Sequence, residues 1–314
     1  MFEIRRYSDK EEKQWNHFVT TSKNGTFLFD RSYMDYHKDR FIDFSLMVYK
    51  DNKLFALLPA NKKDNVLFSH GGLTYGGLIM NHRANASDII HVMHTINLFL
   101  YQNEFERVVY KAIPWIYQQI PAEEDLYAIF RECNARLIAR NISSCIIMND
   151  KVRWYNIRTS GTKKAKAAGM IVKETDDMDT FWTILAGNLQ TKYGASPVHS
   201  LSEIKILRNR FPENIRLFMA YQNDNPLGGV LLYVTKQVVH TQYISANHEG
   251  KDNHALDLIF DHIINDVFAD YKYFDFGKST EDDGHILNEP LIYQKEGFGG
   301  RGVCYDWYEW NIRK

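Results

Sequence analysis

The chain has 314 residues, 45% of them hydrophobic and 14% aromatic, enough for more than one well-packed core. Its 38 Lys+Arg balance 39 Asp+Glu, so no global field draws it to DNA or to an anionic membrane. The three cysteines are far apart and lack CxxC spacing, which argues against a disulfide framework or structural zinc. No uncharged apolar run approaches the roughly 20 residues that cross a bilayer, and the N-terminus lacks the apolar stretch of a signal peptide. A cytoplasmic protein without membrane insertion is expected.

Hydrophobic periodicity predicts a strand at 2–7, helices at 9–21 and 31–40, and strands at 44–50, 53–59 and 65–68. A helix follows at 87–102, with Ile89, Val92, Met93, Ile96, Phe99 and Leu100 at helical spacing and Ser87 as N-cap. A strand at 107–111, a helix at 122–133 and closing strands within 136–148 complete the first half. A junction is expected near 149–151, then a basic helical connector over 152–168 whose Arg153, Arg158, Lys163, Lys164 and Lys166 form a solvated face. The second half predicts helices at 179–192 and 200–210 and strands at 215–221, 229–235 and 238–245. Its helix at 255–270 leads to a strand at 272–277, a short helix, and strands within 302–312. The helix-strand unit 87–111 thus recurs at 255–278, which predicts a structural duplication into mixed α/β domains 1–150 and 151–314.

The segment Leu291-Ile-Tyr-Gln-Lys-Glu-Gly-Phe-Gly-Gly300 sets Tyr293 four residues before Gly297-Phe298. The glycine permits the turn that stops a helix, and the next residue drops a ring into the core. Tyr293 is then expected to face a cleft, where its hydroxyl can protonate a departing thiolate; half-buried packing is the alternative.

This spacing resembles the end of the N-acetyltransferase (GNAT) fold. Two such halves, with the tyrosine motif only in the second, resemble the Fem family, which joins two GNAT folds around a cleft. Further pieces of the likeness are Ser69-His-Gly-Gly-Leu-Thr-Tyr-Gly-Gly77, Ser196-Pro-Val-His-Ser200 with Glu203, His240-Thr-Gln-Tyr243 and Phe274-Asp-Phe-Gly277. The resemblance implies two tandem GNAT-like domains. It also implies acyl transfer from acyl-CoA, acetyl-CoA first, to an amine such as an amino sugar of a cell-surface glycan precursor. Fem-type aminoacyl transfer from charged tRNA to a cell-wall precursor is the alternative, against which stand the balanced charge and the lack of a long helical arm. A third reading is a non-catalytic binding protein on the same double fold.

On this likeness the donor meets Tyr243, Ile244 and Ser245 on the fourth strand of the second half and Gly250, Lys251, Asn253 and Ala255 at the start of the next helix. GNAT enzymes usually carry Gln/Arg-x-x-Gly-x-Gly/Ala there, so that amides cradle a diphosphate. Here the stretch Asn247-His-Glu-Gly-Lys-Asp-Asn-His-Ala255 lacks the glycine pair, and a capped polar turn accounts for it equally well. His240 and His199 are the candidate bases, with hydrogen-bonded structure as the competing role for each. Asp275 is a candidate for orienting the acceptor amine. Gln242, Lys278 and Lys295 are expected to touch substrate, and Thr74 and Tyr75 to point toward the acceptor. The glycine-rich segment around them lacks the Gly-Lys-Ser/Thr of a phosphate loop. His91 and His94, three apart, have no carboxylate or cysteine cluster beside them, so no metal is expected.

Overall fold

The buried run from Leu227 to Val234 marks the strand Asn225–Val234 as central, since both of its faces are covered. In the computed structural model, which describes residues 1–313, this strand belongs to a unit comprising Ile142–Ser279 and Leu287–Val303. The sheet of that unit runs, in order, Ile171–Glu174, Ile215–Gln222, Asn225–Val234, Val238–Ala246, Tyr273–Lys278 and residues 142–147. All neighbours are antiparallel except Val238–Ala246 with Tyr273–Lys278, which are parallel. A parallel join needs a crossover, and the helix Ala255–His262, prolonged by a π-helical turn at Ile263–Val267, supplies it. Its Ile259, Phe260 and Ile263 pack with Phe274, Phe276 and Phe298 in one core, each contributing about 1.5–3 kcal/mol by leaving water.

The other unit comprises Met1–Asn141, Thr280–Ile286 and the chain from Cys304 onward. It repeats the same device: Val66–Phe68 runs parallel to Arg107–Lys111, and the helix Ala86–Gln102 makes the crossover. Asn85, not Ser87, is its N-cap, accepting from Asp88 N–H at 3.0 Å. A second small sheet, in the order Phe2–Arg6, Leu46–Lys50, Lys53–Leu58 and Ile79–Met80, covers the helix from the other side of the core.

The division differs from a cut at 149–151. The strand Arg136–Ile147 passes from one unit to the other at Asn141, because Ser143 to Ile147 pair with Tyr273–Lys278. The last strand, Arg301–Asn311, returns to the first unit, where Trp307 to Asn311 pair antiparallel with Arg107–Lys111. Arg140 bonds Asp306 at 2.7 Å and Arg136 pairs with Glu309 beside it. The connector helix spans Asn156–Ala167 and is not a uniformly solvated face: Gly161, Thr162 and Ala165 are buried and Arg158 pairs with Asp257 at 3.0 Å. The short helix predicted over 31–40 stops at Met34 and continues as a 3-10 turn, Asp35–His37.

The glycine-rich segment has a structural job in the first unit. Where Val66–Phe68 ends, Ser69 N–H donates to Val109 O at 2.9 Å, Lys111 N–H donates to Ser69 Oγ at 2.7 Å, and Gly76 N–H donates to Lys111 O at 3.3 Å. A Cβ on Gly76 would lie 1.7 Å from Ser69 O, so only glycine lets the segment fold back this closely. Lys111 Nζ holds the loop through Gly71 O and Leu73 O at 3.0 and 2.8 Å. Tyr75 is 2% exposed and bonds Thr26 Oγ1 at 3.1 Å, so it is a core residue and not a substrate contact; half-buried Thr74 precedes it.

Trp310 carries the insertion of the last strand, being buried in the first unit's core with its indole N–H on Asn97 Oδ1 at 2.9 Å. Trp310→Ala should cost about 3–5 kcal/mol in urea unfolding. A loss below about 1 kcal/mol, the size of a surface substitution, would place that strand outside the core.

Candidate active site

Pairing between Val238–Ala246 and Tyr273–Lys278 covers three rungs, Val238↔Tyr273, Val239↔Phe274 and His240↔Asp275, and then stops. On one side the register with Asn225–Val234 shifts between Leu231, opposite Tyr243, and Leu232, opposite Thr241. Such a bulge bends the strand. On the other side Gly277, at φ +73°, turns the second strand away. Between the diverging strands lies a cavity of about 250 Å³. Ile244, Ser245 and Ala246 wall it on one strand and Phe276 on the other, with Leu256 and Phe260 from the crossover helix. The helix Glu289–Gly297 adds Leu291, Gln294 and Lys295, and the helix Met178–Tyr193 adds Asn188 and Lys192.

A buried polar cluster sits where the pairing ends. Asp275, 0% exposed, receives the Ser143 hydroxyl on one oxygen and faces His240 Nδ1 at 2.7 Å on the other. Thr241 Oγ1 donates to Phe276 O at 2.9 Å, so the first residues beyond the last rung are tied by a side chain instead of the ladder. The His240 ring lies over Gly277, where a Cβ would come within 3.2 Å of its Cε1. Lys295, 4% exposed, donates to Gly277 O at 2.9 Å and to Lys278 O at 2.8 Å, clamping the end of the strand. Burial pushes its ammonium down to about 8, against the opposing pull of the Asp275 charge.

Several expectations are corrected by this geometry. Tyr293 is 54% exposed, its ring lies 5.5 Å from that of Tyr155, and it does not line the cavity. It is on the opposite face of its helix from Leu291, Gln294 and Lys295. Asp275 is sealed from solvent and orients His240 instead of an acceptor amine. His199 is buried against Tyr243, whose hydroxyl meets its Nδ1 at 2.7 Å and its backbone N–H at 3.2 Å. Burial raises the Tyr243 phenol above its ordinary value. Half-buried Gln242 is the bulge residue, and Lys278 is exposed.

The stretch expected to cradle phosphate is a closed helical turn, His248–Asp252, capped by Asn247. Gly250 N–H donates to Asn247 Oδ1 at 2.7 Å, and a Cβ on Gly250 would lie 2.1 Å from Leu227 O. Gly250 and the fully buried Ala255 are therefore packing residues, and Asn253 is the C-cap of the turn. Lys251 and Ser245 do line the cavity and share one partner: Asn188 accepts from Lys251 Nζ at 2.9 Å and donates to Ser245 Oγ at 2.7 Å. Among the described residues no group of three His, Cys, Asp or Glu side chains could hold a metal ion, and no helix is long and apolar enough to cross a membrane.

The depressed Lys295 value has a stability consequence. Between about pH 8 and the ordinary 10.5 the unfolded chain binds the proton that the folded chain has released. Stability of the parent relative to Lys295→Met should therefore rise with pH across that window, by a few kcal/mol at most (~1.4 kcal/mol per unit), and stay flat below it. A flat difference throughout, in urea unfolding at successive pH values, would show that Lys295 titrates like a solvated lysine.

Residues 153–284 match a family model described as an acetyltransferase (GNAT) domain. Among solved structures the chain is similar to FemX, at a TM-score of 0.67 and 11% identity, over 97% of this chain and 96% of that one. It is similar to L-PGS from Bacillus licheniformis, at 0.59 and 8% identity over 96% and 91% of the two chains. A tandem GNAT protein from the clavulanic acid biosynthesis pathway matches at 0.53 and 11% identity over 100% and 99%. No curated protein matches the sequence. The chain has a Fem-like double-GNAT fold, and the GNAT acetyltransferase domain in its second half makes it an acyltransferase.

Proposed function

We propose that the second unit transfers an acyl group from an acyl-CoA thioester, acetyl-CoA in the simplest case, to an amine. The observation that carries this reading is the cavity walled by Ile244 to Ala246 and by Phe276, beyond the last parallel rung, His240↔Asp275. Its walls suit the flexible arm of the coenzyme: Ile244, Leu256, Phe260 and Phe276 are apolar, while Lys192 and Lys251 are exposed. The thioester supplies the acyl group and a thiolate leaving group.

The residues of this chain divide the remaining work. Asp275 meets Nδ1 of His240 and orients the imidazole that takes the proton of the attacking amine. Backbone N–H groups of 241–245, on the side released from the ladder, face the place where an oxyanion develops and would lower that barrier by about 3–4 kcal/mol. Lys295 supplies positive charge and a proton to the departing thiolate, the role first expected of Tyr293; its value near 8 suits an acid at neutral pH. The lining carries Lys192, Lys251 and Lys295 and no carboxylate to meet the ammonium of an aminoacyl donor, which favours coenzyme A over charged tRNA. The acceptor, as the Fem resemblance implies, is an amine on a cell-surface glycan precursor.

Titration calorimetry with acetyl-CoA tests the placement: the parent should bind, and Leu291→Trp, which fills the cavity, should not. Absence of binding by the parent would remove the donor assignment. With an acceptor from a panel of amino sugars, His240→Gln should lower kcat about 100- to 10000-fold with donor affinity kept. Tyr293→Phe should leave kcat unchanged. The opposite ranking of the two variants would return the acid role to the tyrosine.

A further inference from the structure

The first unit holds a cavity of about 440 Å³ that acyl transfer in the second does not use. It borders residues 309–311 of the last strand, which pair with 107–109 at the start of Arg107–Lys111. The Ser69 to Gly77 segment folds back at the other end of that strand, on Lys111. The cavity is therefore not the first unit's version of the donor opening. The second half of the helix Ala86–Gln102, the last turn of the helix Glu124–Cys133 and the end of Arg301–Asn311 wall it, together with Arg136 and Arg313.

Its charges fall into two groups that do not pair with each other. Glu132 Oε1 meets His94 Nδ1 at 2.6 Å, and its Oε2 has no bond among the described residues. Glu309, 8% exposed, meets Arg136 through Nε at 2.9 Å and through Nη2, and Arg107 through Nη1 at 3.3 Å. One carboxylate thus faces two guanidinium groups, an excess of positive charge. Arg136 Nη1 is left open, and Arg313 makes no hydrogen bond or ion pair among the described residues. No ion pair joins Glu132 to Arg136 or Arg313, although all of them line one cavity. Opposite charges that share a recess but stay beyond ion-pair reach can each meet a counter-charge on one ligand, and the guanidinium fork matches a carboxylate. The remaining lining adds no charge. Asn97 accepts from the Trp310 indole and donates to Cys133 Sγ at 3.2 Å, burial pushes the Cys133 thiol up to about 12, and Leu98 is apolar.

We infer that this cavity is a second ligand site, which binds a small zwitterion, a free amino acid or a short peptide, by its ammonium and its carboxylate together. Glu132 meets the ammonium, and Arg136 Nη1 with Arg313 meets the carboxylate. The inference does not depend on the donor reading given above.

Methyl NMR of the full chain, titrated with L-alanine, L-leucine and L-alanyl-L-alanine, tests this. At least one of the three should shift Leu98, which lines this cavity, and leave Ile244 and Leu291 of the donor cavity unmoved. The C-terminal amide and the N-acetyl derivative of that ligand, each lacking one charge, should bind about tenfold or more weakly. Glu132→Gln should shrink the loss on N-acetylation, and Arg313→Gln the loss on amidation. Tighter binding of the dipeptide than of either amino acid assigns a peptide, and the reverse assigns a free amino acid. No shift at Leu98 with any of the three, or a derivative bound as tightly as its parent in the unsubstituted chain, would overturn the inference. Inorganic phosphate producing the same Leu98 shift at equal affinity would overturn it in favour of a simple anion site.

Discussion

The polar cluster of the second unit is built on one buried carboxylate. Asp275 is wholly removed from water, and an unpaired charge in that position would cost several kcal/mol. Three elements offset the cost: Ser143 from the strand Arg136–Ile147, His240 from Val238–Ala246, and the charge of Lys295 from the last helix. Each of those groups is fixed in return. The carboxylate thus orients the imidazole, joins the returning strand to the sheet and opposes the loss of the Lys295 charge that burial favours.

Both units contain the same crossover, yet only one leaves its opening empty. In the first, the strand after the parallel rungs is replaced by the Ser69 to Gly77 segment, which folds back onto Arg107–Lys111 and is pinned by Lys111. The equivalent space is filled by the chain itself. In the second, Gly277 and the bulge at Gln242 lie where the strands part, and the cavity there is lined by apolar and polar side chains of the neighbouring helices. The duplication therefore yields one copy in which the chain fills the space beyond the parallel rungs and one in which a cavity lies there, and the second carries the polar cluster.

Much of the fold was legible because its elements are strongly patterned. The crossover helices with their apolar faces and the strands that follow them have local causes, and the recurrence of helix and strand disclosed the duplication. What local pattern could not supply was partnership. That residues 142–147 and 304–311 close sheets other than the ones a simple halving suggests follows from pairings across more than a hundred residues. The short strand Ile171–Glu174 carries no hydrophobic period and went unseen.

The candidate site was legible in part for the same reason. His240 and Asp275 lie 35 residues apart and meet only through strand register. The misdirected expectation was Tyr293, judged by its distance to Gly297-Phe298 without regard to helical phase. Leu291, Gln294, Lys295 and Phe298 fall on one face, and at about 100° per residue Tyr293 lies roughly 150° away from it. That phase was present in the sequence and would have put Lys295, not Tyr293, on the face that lines the cavity.

The central claim, that the second unit holds the donor site, is tested most directly by methyl NMR of the chain during titration with coenzyme A. The account predicts shifts at Ile244, Leu256 and Leu291, which wall the cavity, and none at Leu67, Val108 or Ile96 in the first unit's core. Shifts confined to the first unit, or spread equally over both, would contradict it.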